Sequence, residues 1–77
     1  MIAAKDMKIG AFYECIPMLY GEVLEVLNKT DNVITFCTYK YKNRFSNNEL
    51  TSRTENQSCS FDEFDSVFKI QHIILRK

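Results

Sequence analysis

The clearest hydrophobic pattern lies between positions 33 and 41, where Val-Ile-Thr-Phe-Cys-Thr-Tyr-Lys-Tyr is built almost wholly from β-branched and aromatic residues. Such side chains fit a pleated, half-buried surface, so the segment predicts a strand. The preceding stretch 21–28, GEVLEVLN, fits helix or strand by periodicity alone. Val23, Val26 and the turn cluster Asn28-Lys29-Thr30-Asp31-Asn32 decide for a strand. Residues 21–41 therefore predict a hairpin. Upstream, KIGAFYECI (8–16) predicts a first strand, and Pro17 stops it from continuing as a central ladder strand, leaving IPMLYG as a bend or an edge.

Beyond the hairpin the pattern weakens. Asn43 to Asn48 predict a turn, and 49–58 is polar with almost nothing to bury, which fits either a solvated edge strand or a mobile loop. Order returns at Ser60-Phe61-Asp62-Glu63, a capping box in which the Ser60 hydroxyl accepts the Glu63 N–H and the Glu63 carboxylate returns to the cap. Asp62, Glu63 and Asp65 suit the positive end of a helix dipole. Cys59 and Phe64 are spaced for a hydrophobic staple. Phe61, Phe64, Val67 and Phe68 fall near one helical face, so a two-turn helix over 61–68 is expected to bury its rings. A last strand, Lys69-Ile70-Gln71-His72-Ile73-Ile74-Leu75, precedes the basic end Arg76-Lys77.

The order of strand, hairpin, weak strand, short helix and strand resembles the small SH3-like barrels. More narrowly, three pieces resemble short proteins of phages and low-GC bacteria: Ile9-Gly10-Ala11-Phe12-Tyr13, the hairpin 21–41, and Ser60-Phe61-Asp62-Glu63-Phe64. The resemblance implies a mainly β fold (small α+β): a strongly bent antiparallel sheet of about five strands, with one short helix before the last. The acidic–aromatic ligand groove of true SH3 domains is missing, so binding of proline-rich peptides is not implied.

Composition bounds the rest. Seventy-seven residues make one domain, 1–77. With 45% hydrophobic residues, six Phe and four Tyr, a core is available without a metal or disulfide staple. Ten basic and ten acidic residues cancel, which argues against strong non-specific DNA binding. Cys15, Cys37 and Cys59 are odd in number and lack a CxxC, so they predict reduced thiols rather than a disulfide framework. Together with His72 they could make a zinc set only by long-range convergence. The first ten residues have no apolar signal region and no run approaches a membrane span, so a cytoplasmic protein is expected. Phe, Tyr, Met, Ile, Asn and Lys outnumber Gly, Ala, Arg and Pro 33 to 9, a bias of AT-rich coding. If the gene is a phage's, the host cytoplasm is expected.

Catalytic chemistry finds little support. His72, the one histidine, sits in an apolar strand with no local nucleophile. The helix-cap role accounts for Asp62, Glu63 and Asp65, and solvated strand positions for Glu22 and Glu25. No phosphate-cradling glycine motif occurs. The expectation is a non-enzyme without cofactor or metal.

One segment has binding character. Tyr39, Lys40, Tyr41, Lys42, Arg44 and Phe45 place three cations and three aromatic rings within seven positions. In a strand, Tyr39 and Tyr41 share one face and Lys40 and Lys42 the other. Three uses are open: a protein-recognition surface, a single-stranded nucleic-acid surface on which rings stack bases, or a plain strand end whose tyrosines finish the core. The leading expectation is a non-catalytic protein that occupies a protein partner, such as a phage accessory or inhibitor protein directed at a host. Self-association through 70–75 or 49–58 is the structural alternative.

Overall fold

A computed structural model describes residues 2–16, 23–43 and 46–74, with the backbone alone at 15, 16, 41–43, 46–48, 69 and 71–74. The protein is mainly β. Its described strands are β1 (Phe12–Ile16), β2 (Val23–Thr30), β3 (Val33–Asn43), β4 (Ser46–Thr51), β5 (Gln57–Ser60) and β6 (Lys69–Ile74). The short helix α1 (Phe61–Val67) lies between β5 and β6, and one 3-10 turn, Ala4–Asp6, precedes β1. All pairing is antiparallel, in the order β4-β3-β2-β1-β6, with β5 also on β3.

β3 organises this sheet. One edge carries β2 along Val33 to Tyr39; the other carries β5 opposite Val33 to Phe36 and β4 opposite Lys40 to Asn43. Six strands thus occupy five columns. The chain between β4 and β5 fills the gap with one residue: the Thr54 N–H donates to the Thr38 carbonyl at 2.9 Å, and the Thr38 N–H to Thr54 Oγ1 at 2.9 Å. Thr54 thereby does the work of a ladder partner. The stretch 49–58, open between edge strand and loop in the sequence, is strand at both ends with a pinned loop between.

The barrel expectation is corrected. The sheet is neither closed nor strongly curled. The return strand is spent in two pieces on one edge of β3, while β6 ends the pairing path beside β1 on the other. Smaller corrections follow from local chemistry. The first strand starts at Phe12 rather than Lys8, because Gly10 at φ +86° turns the chain just before it. β2 runs to Thr30, through much of the expected turn cluster, leaving Asp31 and Asn32 (φ +47° and +68°) as a tight two-residue hairpin turn. A bulge at Leu27 between Val26 and Asn28 absorbs the extra residue. The expected turn over 43–48 shrinks, since β3 reaches Asn43 and β4 begins at Ser46. Pro17, the bend that follows it and Leu75 lie outside the described residues.

The core forms on the face of β3 that carries Ile34 and Phe36. There Phe64 is fully buried, edge-on to Phe36 with ring centroids 5.2 Å apart, and Phe68 packs against both at 5.3 and 4.9 Å. Tyr13, Leu24, Val26 and Ile70 complete it. The Ser60 half of the capping box forms, the hydroxyl accepting the Glu63 N–H at 3.1 Å. Val67 does not join the buried face: it is 57% exposed, and in this helix of about two turns Phe64 is the residue that is fully buried.

The N-terminal segment adds two core residues that no pattern announced, Ala4 and Met7. Its 3-10 turn is clamped at both ends. Asp65 Oδ1 accepts the Ala4 N–H at 2.9 Å, and Lys29 Nζ donates to the Lys5 carbonyl at 2.9 Å. Tyr13 Oη accepts the Lys8 N–H at 2.8 Å and holds the exit.

Phe64→Ala is expected to lower the unfolding free energy by about 3–5 kcal/mol, and Val67→Ala by under about 0.5 kcal/mol. Denaturant unfolding of the two variants separates them, and equal losses would contradict the packing described.

Candidate functional site

The second face of the sheet carries the candidate site. Alternation along β3 puts Val33, Thr35, Cys37 and Tyr39 on the side away from Phe36. Register then brings Phe12 and Glu25 alongside Cys37, and Val23 alongside Tyr39. Val23 and Cys37 are fully buried; Phe12, Glu25 and Tyr39 are half-buried. A small second cluster therefore sits opposite the main core, with a carboxylate inside it.

Glu25 collects the polar groups of this cluster. The Tyr39 hydroxyl donates to Glu25 Oε1 at 2.8 Å, and the Cys37 thiol donates to the same oxygen at 3.8 Å. The Tyr39 and Phe12 rings lie 6.0 Å apart, tilted at 42°. The solvated role expected for Glu25 is thus corrected: Phe12, Cys37 and Tyr39 enclose it partly, and it fixes the Tyr39 ring.

Arg53 completes the set from the pinned loop. Its guanidinium lies beside the Tyr39 hydroxyl and is steadied by the Thr54 carbonyl at 3.3 Å and by Asn56 Oδ1 at 2.9 Å. The preceding residue, Ser52, is left-handed at φ +56°, a conformation that disfavours a side chain by roughly 1–2 kcal/mol. The loop accepts that strain to place Arg53 and Thr54. Burial first, then the bond to Glu25, push the Tyr39 hydroxyl up to about 12, with Arg53 pulling the other way.

Of the six positions singled out in the sequence, Tyr39 and Lys40 have described side chains. Tyr39 is in the cluster; Lys40 is exposed on the other face, with Thr38. Tyr41 pairs with Leu50 and Lys42 follows in β3, both described by backbone alone. Arg44 and Phe45 lie outside the described residues. Among the described residues the cation that stands next to Tyr39 is Arg53, fourteen positions further along the chain and outside the 39–45 segment. No local motif pointed to it; pairing of β4 and β5 with one strand is what delivers it.

The remaining chemistry-bearing groups are dispersed. Cys37 and Cys59 are free thiols, buried and half-buried. Burial first, then Glu63, push the Cys59 thiol up. The side chains of Cys15 and His72 lie outside the described residues, and among the described residues no three His, Cys, Asp or Glu gather as a metal site. A cleft of about 460 Å³ lies between the 3-10 turn, Asn32 and the start of α1, with Lys5, Phe61 and Asp62 in its walls. A groove of about 210 Å³ runs between β5 and α1 past Cys59 and Val67. No described helix is long and apolar enough to cross a membrane.

The Tyr39 environment sets an alkaline limit. Its folded pKa is raised above the ordinary value of 10.0, so the stability it contributes is complete below pH 10 and is lost as pH rises through about 12. Phenolate absorbance should show a late-titrating phase, and Tyr39→Phe should remove it. A late phase that survives the substitution would place the buried hydroxyl elsewhere.

In comparisons with known proteins, no family model, no curated protein and no solved structure matches the chain.

Proposed function

We propose that the chain is a non-catalytic binding protein that occupies a protein partner through the face carrying Tyr39. The observation that supports this most is the held trio of Phe12, Tyr39 and Arg53. Tyrosine and arginine are favoured interface anchors, and here each is oriented before any partner arrives, Tyr39 by Glu25 and Arg53 by Thr54 and Asn56. Orientation in advance reduces the entropy lost on binding.

The same geometry favours protein over single-stranded nucleic acid. Base stacking needs an open ring with cations tracking the phosphates on the same side. Tyr39 is half-buried with a carboxylate at its hydroxyl, and of the cations near it Arg53 shares its face while Lys40 lies on the opposite one. The AT-rich coding bias supports a phage accessory or inhibitor protein aimed at a host protein in the host cytoplasm.

The test is capture from a bacterial lysate with wild type, Arg53→Ala and Tyr39→Ala. A stoichiometric protein should be retained by wild type and lost at least about tenfold by each variant, with Arg53→Ala melting like wild type. Equal capture by all three, or none by wild type, would overturn the reading.

A further inference from the structure

Beyond Tyr39 the sheet narrows to two strands. β2 pairs with β3 as far as Tyr39, and from Lys40 to Asn43 the ladder is with β4 alone among the described residues. The described core stops at the same place: Ile34, Phe36, Cys37 and Thr38 are buried, whereas Tyr39 is half-buried and Lys40 exposed. β3 is eleven residues long, roughly 35 Å of strand, close to the molecule's longest dimension of 36 Å. Its last four residues and β4 therefore form a ribbon that reaches about 13 Å past the described core. β4 sets Asn47, Asn48 and Glu49 opposite Lys42 alone, a bulge between the Tyr41–Leu50 and Asn43–Ser46 pairs. Bulges and two-stranded pairing both increase twist. Charge is sorted along the same line. Residues 40–51 hold three of the ten basic residues, Lys40, Lys42 and Arg44, and one of the ten acidic ones, Glu49. The ribbon segment is thus positive by two charges and the rest of the chain negative by two, a division that the net charge of zero conceals.

We propose that the β3–β4 ribbon enters the major groove of duplex DNA. That groove, about 12 Å wide and 8.5 Å deep, admits a two-stranded β-ribbon. Two strands about 4.8 Å apart with a reach of about 13 Å match those dimensions. The positive ribbon meets the phosphates while the negative body stays outside the duplex. Asn43, Ser46, Asn47, Asn48 and Thr51 supply residue types that hydrogen-bond phosphates and base edges. The major groove of duplex RNA is too deep and narrow for side chains to read, and a single strand offers no groove. So few cations make only a few phosphate contacts, and binding is therefore weak and dependent on salt. The ribbon is a surface separate from the Phe12, Tyr39 and Arg53 face, and neither reading needs the other.

Fluorescence anisotropy of the whole chain with a labelled DNA duplex of about 20 base pairs, between about 20 and about 200 mM salt, tests it. Wild type should bind at the lowest salt, and log K should fall against log salt with a slope of about −2 to −3. Lys40→Gln combined with Lys42→Gln should lower the affinity at about 20 mM salt by at least about tenfold and make the slope shallower by about two. Lys8→Gln, on the negative body, should leave both unchanged. Amide shifts on adding the duplex should centre on 40–51 and spare 2–8. No binding by wild type at the lowest salt overturns the proposal, as does a loss in Lys8→Gln equal to that of the ribbon variant. So does equal or tighter binding of polyglutamate, of an RNA duplex or of the single DNA strand, which would put an acidic protein or another nucleic acid in the groove's place. If the ribbon variant does not fold, the wild-type shift map decides alone.

Discussion

The bonds between Thr38 and Thr54, two to the Thr38 backbone and one between the two hydroxyls, are the constraint on which the arrangement depends. β3 is eleven residues long, and the chain that returns along its outer edge is polar and short of apolar anchors. Burying the Thr38 amide without a partner would cost about 1–3 kcal/mol, and Thr54 satisfies it while accepting a gap in the strand. That single junction lets β5 resume opposite Phe36. From there Ser60 caps α1 and Phe64 drops onto Phe36. Register at the edge and packing in the core are therefore one problem, solved at Thr38.

The same junction couples the core to the candidate site. β3 spends its even positions on Phe64 and Phe68 and its odd positions on Glu25, Cys37 and Tyr39. The loop that Thr54 pins carries Arg53 to the odd face. Glu25 accepts from both Cys37 and Tyr39, and its acceptance of both bonds keeps a half-buried carboxylate compatible with Val23 and Phe12 around it. The surface proposed for binding is thus a by-product of how the edge strand is closed.

What the sequence revealed follows from range. The hairpin was legible because Val33 to Tyr41 and the turn cluster Asn28 to Asn32 are local signals, although the turn itself is only Asp31 and Asn32, and α1 because Ser60 to Glu63 is a local hydrogen-bond motif. Ala4 and Met7 were not legible, since their burial depends on Asp65 and Lys29, far along the chain. The exposure of Val67 and the open sheet had the same cause: helix length and edge pairing are settled by tertiary geometry. At the candidate site, Tyr39 was singled out from its residue type and its strand. Lys40 was grouped with it by adjacency, which alternation undoes, and Arg53 could be reached only through the β4 and β5 pairing.

The most direct test is amide hydrogen exchange at Thr38 in Thr54→Val, which keeps the side-chain shape and removes the accepting oxygen. The account predicts exchange at Thr38 faster by roughly ten- to a hundredfold, as expected for the loss of a buried hydrogen bond. Loss of protection should spread to β5, together with loosening of Arg53 from Tyr39. Exchange and stability unchanged from wild type would contradict it, and the fold would then owe its edge to something other than Thr54.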